Sequence, residues 1–169
     1  MRNSIKLTAL LLSSLLVASL NAVQKESLEN SVVNKLIKIE TILNKIKTIK
    51  IRTNFDNAIE NTKTLVIELV SLQDLLTSRE FNENEIKATI ARLDKAPKNP
   101  IFQKIKSLLN NKQALNEFLY SDIFFSPDLR SLTVGMGGRY FSPESLTSTL
   151  AKIISDFGDN PSSFKQLNK

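Results

Sequence analysis

The chain has 169 residues and a formal net charge of +6, from 23 Lys and Arg against 17 Asp and Glu, and it contains no Cys, His or Trp. Thiolate nucleophiles, disulfides, Cys or His metal sites and imidazole-based triads are therefore excluded. Its 41% hydrophobic and 24% charged residues are those of a folded domain and too apolar for a disordered chain.

The first element in chain order is a leader. Arg2 and Lys6 form a positive start, an uncharged apolar stretch runs from Leu7 to Leu20, and small residues occur at Ala18, Ser19 and Ala22. That order predicts a secretory signal peptide over residues 1–22, cleaved after Ala22. An uncleaved anchor and a buried helix compete with it. The Leu7–Leu20 stretch is shorter than the roughly 20 residues a bilayer core demands. With no Cys at the cleavage point, no lipid anchor through Cys is expected. Export places the protein in the periplasm, at the cell surface or in the medium. The remaining chain is long enough to bury roughly two-thirds of its unfolded surface, so packing alone can hold it.

The rest reads as a single helical domain over 23–158, with long helices over 24–78 and short ones over 82–158, followed by a flexible polar tail at 159–169. Val32, Leu36, Ile39, Leu43 and Ile46 recur at alternating spacings of four and three, which makes one apolar stripe on a helix. Ile49-Lys50-Ile51-Arg52 instead alternates as a strand does. A second periodic run, from Phe55 to Leu76, includes Ile59, Leu65, Leu69, Leu72 and Leu76. Thr53, Asn54 and Asp56 suit a cap between the runs, yet no Gly or Pro occurs from Val23 to Ala96. A helical hairpin and one long helix of about 75 Å therefore stand as equal options.

Beyond Arg79 the signals are punctuated. Asn82 with Glu85 resembles a capping box opening a helix through Ile86, Ile90 and Leu93, which ends near Ala96 ahead of Pro97. Asn99-Pro100 pairs a cap with Pro at the first helical position, and Phe102, Ile105, Leu108 and Leu109 supply that helix's apolar face. Asn110-Asn111 separates it from a helix carrying Ala114, Leu115, Phe118 and Leu119. Ser126-Pro127-Asp128 and Ser142-Pro143-Glu144 repeat one capping device, in which Ser caps, Pro starts the helix and the acid meets its positive end. The second of these helices uses Leu146, Leu150, Ile153, Ile154 and Phe157, and stops at Gly158. The fold class expected is all-α: a long N-terminal helix or helical hairpin packed on a cluster of shorter helices.

Three groups of residues are candidates for function. Val134 to Tyr140 gathers three of the four glycines, and Arg139 and Tyr140 end it, but neither a dinucleotide fingerprint nor a phosphate loop follows. A flexible connection is the simpler reading. Tyr120, Ile123, Phe124 and Phe125 form either a core plug or an exposed anchor for a partner. Tyr120, Phe124, Phe125, Arg139 and Tyr140 are the candidate partner-binding set. Lys38, Lys45, Lys47, Lys50 and Arg52 form either a solvated helix face or a contact for anionic lipid or acidic polysaccharide. No aromatics interleave these cations and the chain is exported, so nucleic acid is not the expected partner. Glu80, Glu83 and Glu85 are better explained by helix-end electrostatics than by catalysis.

A Lys-, Asn- and Ile-rich chain without Cys, with long helices behind a leader, resembles the small exported helical antigens of spirochaetes. The resemblance implies surface or periplasmic residence. The functional expectation is a non-enzymatic binding or structural protein of the envelope or surface, without cofactor or metal, acting through protein–protein contact. The alternative is an amphipathic envelope protein that meets anionic lipid or acidic polysaccharide through its Lys-rich face. A third class is an exported hydrolase using carboxylates.

Overall fold

The computed structural model describes residues 27–96, 98–125, 127–133 and 141–160. The leader and its cleavage point, the Gly-rich segment with Arg139 and Tyr140, Ser126, and the tail beyond Asn160 lie outside the described residues. Eight helices form among them: α1 (Leu28–Thr48), α2 (Phe55–Thr77), α3 (Glu83–Lys95), α4 (Pro100–Leu109), α5 (Lys112–Leu119), α6 (Asp122–Phe125), α7 (Pro127–Thr133) and α8 (Pro143–Asp156). The fold is all-α, with a long N-terminal pair packed on a cluster of shorter helices.

The pair is a hairpin. Lys35 of α1 donates to Glu68 of α2 at 2.7 Å, which sets the two helices antiparallel about a turn at 49–54. Apolar residues make this reversal, and no Gly takes part. At the end of α1, Ile49 adopts extended geometry (φ −82°, ψ 126°). The strand-like alternation then sends Ile49 and Ile51 into the core while Lys50 and Arg52 face solvent. Asn54 occupies the cap position of α2, but its side chain makes no capping hydrogen bond. Burying two Ile side chains offers roughly 3–6 kcal/mol, more than the roughly 1 kcal/mol a cap supplies, so burial decides the turn.

Caps do decide the shorter helices. Asn82 accepts from the backbone N–H groups of Asn84 and Glu85, Asn99 from that of Ile101, and Asn111 from that of Ala114. Ser142 and Ser145 complete a reciprocal capping box ahead of α8, with Pro143 at the first helical position. Beyond α8, Gly158 has φ +78°, the left-handed geometry that lets the chain turn away from the helix end.

One core unites the helices. The whole α1 stripe from Val32 to Ile46 is buried between α2, α3 and α4. Leu65, Leu69 and Leu72 of α2 face it. Among the described residues helix α8 makes no extensive backbone approach to a single neighbouring helix, and its apolar side chains dock it. Leu146, Leu150, Ile153, Ile154 and Phe157 enter the core, ion pairs Arg52–Glu144 and Lys152–Asp122 tie α8 to the α1–α2 turn and to α6, and Lys47–Asp159 joins the end of α1 to the segment after α8. No helix among the described residues is long and apolar enough to cross a membrane.

Candidate functional site

The aromatic cluster resolves at the corner between α5 and α6. Helix α5 ends when the Tyr120 N–H bonds back to the Asn116 carbonyl, and both the N–H and the hydroxyl of Ser121 donate to the Phe118 carbonyl. From the far side, the buried Gln73 of α2 donates its side-chain N–H to the Leu119 carbonyl at 2.6 Å. The corner backbone is thereby held from within its own turn and from a neighbouring helix.

Below it lies a ladder of three rings. Phe118 meets Phe124 edge-on at 5.4 Å between centroids and Phe157 edge-on at 5.5 Å, the geometry in which ring edges face ring faces. Ile123 and Phe124 are buried. Phe124 is therefore a core residue, and its reading as an exposed anchor is corrected: closing the α5–α6 corner turns it inward against Phe118. Tyr120 is the opposite case, 67% exposed on the same clamped turn. The side chain of Phe125 lies outside the described residues.

Beside Tyr120 in sequence, Ser121 and Asp122 help line an open recess of about 320 Å³, closed on its other sides by Lys104 of α4 and by Lys152, Ser155 and Asp156 of α8. Its rim alternates in charge. Asp122 accepts from Lys152 at 2.9 Å, and that hydrogen bond together with the carboxylate's charge holds the Lys152 ammonium above its usual range. Such a rim is complementary to polar and oppositely charged groups on a partner, and a neighbouring aromatic with a polar tip supplies contact area at small entropy cost.

The basic face divides. Lys38, Lys45, Lys50 and Arg52 are exposed, with Glu68 at 3.8 Å from Lys38 and Glu144 at 3.5 Å from Arg52. Lys45 and Lys50 make no ion pair among the described residues. Lys47 is removed from the set. Its ammonium turns inward to Asp159, whose carboxyl burial would raise but which Lys47 and the Asn160 N–H hold below its ordinary value. The apolar stripe beneath these cations is engaged in the core, and among the described residues α1 exposes only the single large apolar side chain of Ile37, not a continuous face for insertion into a bilayer.

The acidic residues do not converge into one group. Glu80 and Glu83 are exposed at the start of α3. Glu85 fails to close the capping box expected with Asn82, because its carboxyl turns toward Glu29 in the first turn of α1. Glu29 itself is held below the ordinary carboxylate range by its own backbone N–H first, then by the Ser27 hydroxyl, with Glu85 and the Arg92 guanidinium adding to the effect. Among the described residues no three Asp or Glu side chains gather as a metal cluster. Sequence reasoning missed this Glu29–Glu85 approach. The partners are more than 50 positions apart, and each reads locally as an acid at a helix start.

No protein-family model, curated protein or solved structure matches the chain.

Proposed function

We propose that the protein works by contact, as an exported helical binding protein of the cell envelope or surface that engages a protein partner through the α5–α6 corner. The observation that carries this reading is the contrast at that corner. Phe118, Ile123 and Phe124 are spent on the core, while Tyr120 stands exposed on a backbone fixed by Gln73 and Ser121. An aromatic held out on rigid backbone loses little entropy when it is covered, which is the character of an interface anchor. The charge-alternating recess lined by the next two residues, Ser121 and Asp122, supplies the polar rim.

A photo-cross-linking residue placed at position 120 in cells that make the protein tests this. The expected result is one discrete protein adduct, absent when the cross-linker sits at the exposed position 87 and competed away by unmodified protein. A smear shared by both positions overturns the reading. N-terminal sequencing of the recovered protein tests export, with Val23 as the expected first residue.

A second reading is favoured by Lys45 and Lys50, which are exposed and make no ion pair among the described residues. It places the basic face against anionic lipid or acidic polysaccharide. With the apolar stripe occupied, that contact is purely electrostatic, so binding to anionic vesicles is expected to vanish between low and physiological salt.

A further inference from the structure

Three large apolar or aromatic side chains are exposed among the described residues: Ile37, Ile67 and Tyr120. Tyr120 belongs to the α5–α6 corner. Ile37 of α1 and Ile67 of α2, 45% and 55% exposed, stand on the hairpin. The Lys35–Glu68 ion pair brings residue 35 level with residue 68 in two antiparallel helices, so the two isoleucines lie within about one turn of the same height. The helices share an outer face. An open groove of about 480 Å³ between them is lined by Asn34, Ile37 and Lys38 of α1 and by Ser71 and Leu75 of α2.

Charge on that face is divided by helix. On α1, Lys38 and Lys45 are exposed seven residues apart, on one side of the helix. On α2, Glu60, Ile67 and Asp74 are exposed at the same interval, with Asp56 one turn ahead of Glu60. Lys63 pairs with Glu60 and interrupts this ridge, but three acids against one cation leave it negative. Glu68, in the crease between the helices, is offset by Lys35 and Lys38 together. One helix thus presents a basic ridge and its neighbour an acidic ridge with an isoleucine at its middle.

A face of this pattern is complementary to itself. Turning a second copy by half a revolution about an axis parallel to the helices lays each α1 on the other copy's α2 and keeps every residue at its own height. Basic ridge then meets acidic ridge twice, Lys45 comes level with the partner copy's Asp56 and Glu60, and each Ile37 comes beside the partner copy's Ile67. An axis across the helices would set α1 on α1, lysine against lysine, so charge selects the first arrangement.

We propose that the outer face of the α1–α2 hairpin binds a second copy of this chain, forming a two-fold dimer with an antiparallel four-helix layer at its centre. Helix α1, with 21 residues, is about 30 Å long, and two helices side by side span about 20 Å. The face therefore covers about 600 Å² on each copy, or about 1,200 Å² in total, the lower end for a specific interface. With two exposed isoleucines per copy at its middle, the contact belongs in the micromolar range, is driven largely by charge and weakens with salt.

Sedimentation equilibrium of the protein as recovered from cells tests this, from about 1 to about 300 µM at low salt. The average mass is expected to climb from that of one chain toward twice that value, and to fall back in about 0.5 M salt. Lys45→Glu places a second carboxylate against the partner copy's Glu60, and Glu60→Lys a second ammonium against its Lys45. Each variant alone is expected to weaken the dimer at least tenfold while keeping the wild-type circular dichroism spectrum, since both positions are exposed. Mixed in equal amounts, the two variants are expected to recover a dimer of wild-type strength, because the mixed pair is complementary at both contacts. A single-chain mass at every concentration overturns the proposal, and pelleting of that monomer with anionic vesicles would assign the basic ridge to lipid instead. A dimer that both variants leave intact, or that the mixture does not restore, also overturns it, since the contact would then lie on another face.

Discussion

Phe157→Ala is the substitution that most directly tests how the helical cluster is closed. Phe157 is fully buried, lies one residue beyond the end of α8 and packs edge-on against Phe118, which itself packs against Phe124. Because α8 is held by side chains, losing this ring removes a large part of what docks it. Truncating a buried Phe costs about 3–5 kcal/mol through lost transfer free energy and the cavity left behind. That is a fifth or more of the roughly 5–15 kcal/mol that holds a domain of this kind together. Urea unfolding followed by circular dichroism at 222 nm measures it, and with a slope near 2 kcal/mol per molar the midpoint is expected to fall by about 2 M. Phe157→Leu, which refills most of the volume, is expected to cost about 1.5 kcal/mol. Hydrogen exchange is expected to show α8 amides opening first in the Ala variant. A loss under 1 kcal/mol for Phe157→Ala would refute the reasoning, because it would mean that the ring ladder and α8 are not part of one cooperative core.

Three further outcomes follow from single contacts. Gln73→Leu removes the donor to the Leu119 carbonyl and leaves that buried oxygen unpaired, so a loss of about 1–3 kcal/mol is expected by chemical denaturation. Asn82→Ala frees the N–H groups of Asn84 and Glu85 at the start of α3, with an expected loss of about 1 kcal/mol and a Tm lower by about 3 °C in a calorimetric scan. Asp159 has its carboxyl pKa depressed below the ordinary 3.8 by Lys47 and the Asn160 N–H, so its contribution is present at neutral pH and lost as pH falls through the depressed value. Wild type and Asp159→Asn are therefore expected to differ in Tm near pH 7 and to converge in strong acid. A difference that grows on acidification would contradict the Lys47–Asp159 pairing.

Much of this architecture was legible one segment at a time. The spacing of Val32, Leu36, Ile39, Leu43 and Ile46 names the face of α1 that is buried, since side chains at those intervals share a side of a helix whatever surrounds them. Asn82, Asn99, Asn111 and Ser142 mark helix starts because a cap satisfies backbone donors within three residues. Tyr120, Ile123 and Phe124 were another matter: three large side chains within five positions, of which two are buried and one exposed. The exposure of each depends on how the α5–α6 corner is clamped by Gln73, 46 positions away. Lys47 shows the same limit, because its sequence neighbours are exposed cations while its own partner, Asp159, is 112 positions distant.

The sequence by itself determined the helical class, where most helices start and stop, the exclusion of thiol and imidazole chemistry, and the apolar stripes that face inward. Tertiary structure decided that the two long runs fold back as a hairpin, which aromatic stands out and which buried polar groups find partners. The division has one cause. Caps and periodicity act within a turn or two of the chain, where sequence spacing equals spatial spacing, whereas reversal, exposure and polar satisfaction are set by residues brought together from far apart, whose free energies exist only once the core has closed.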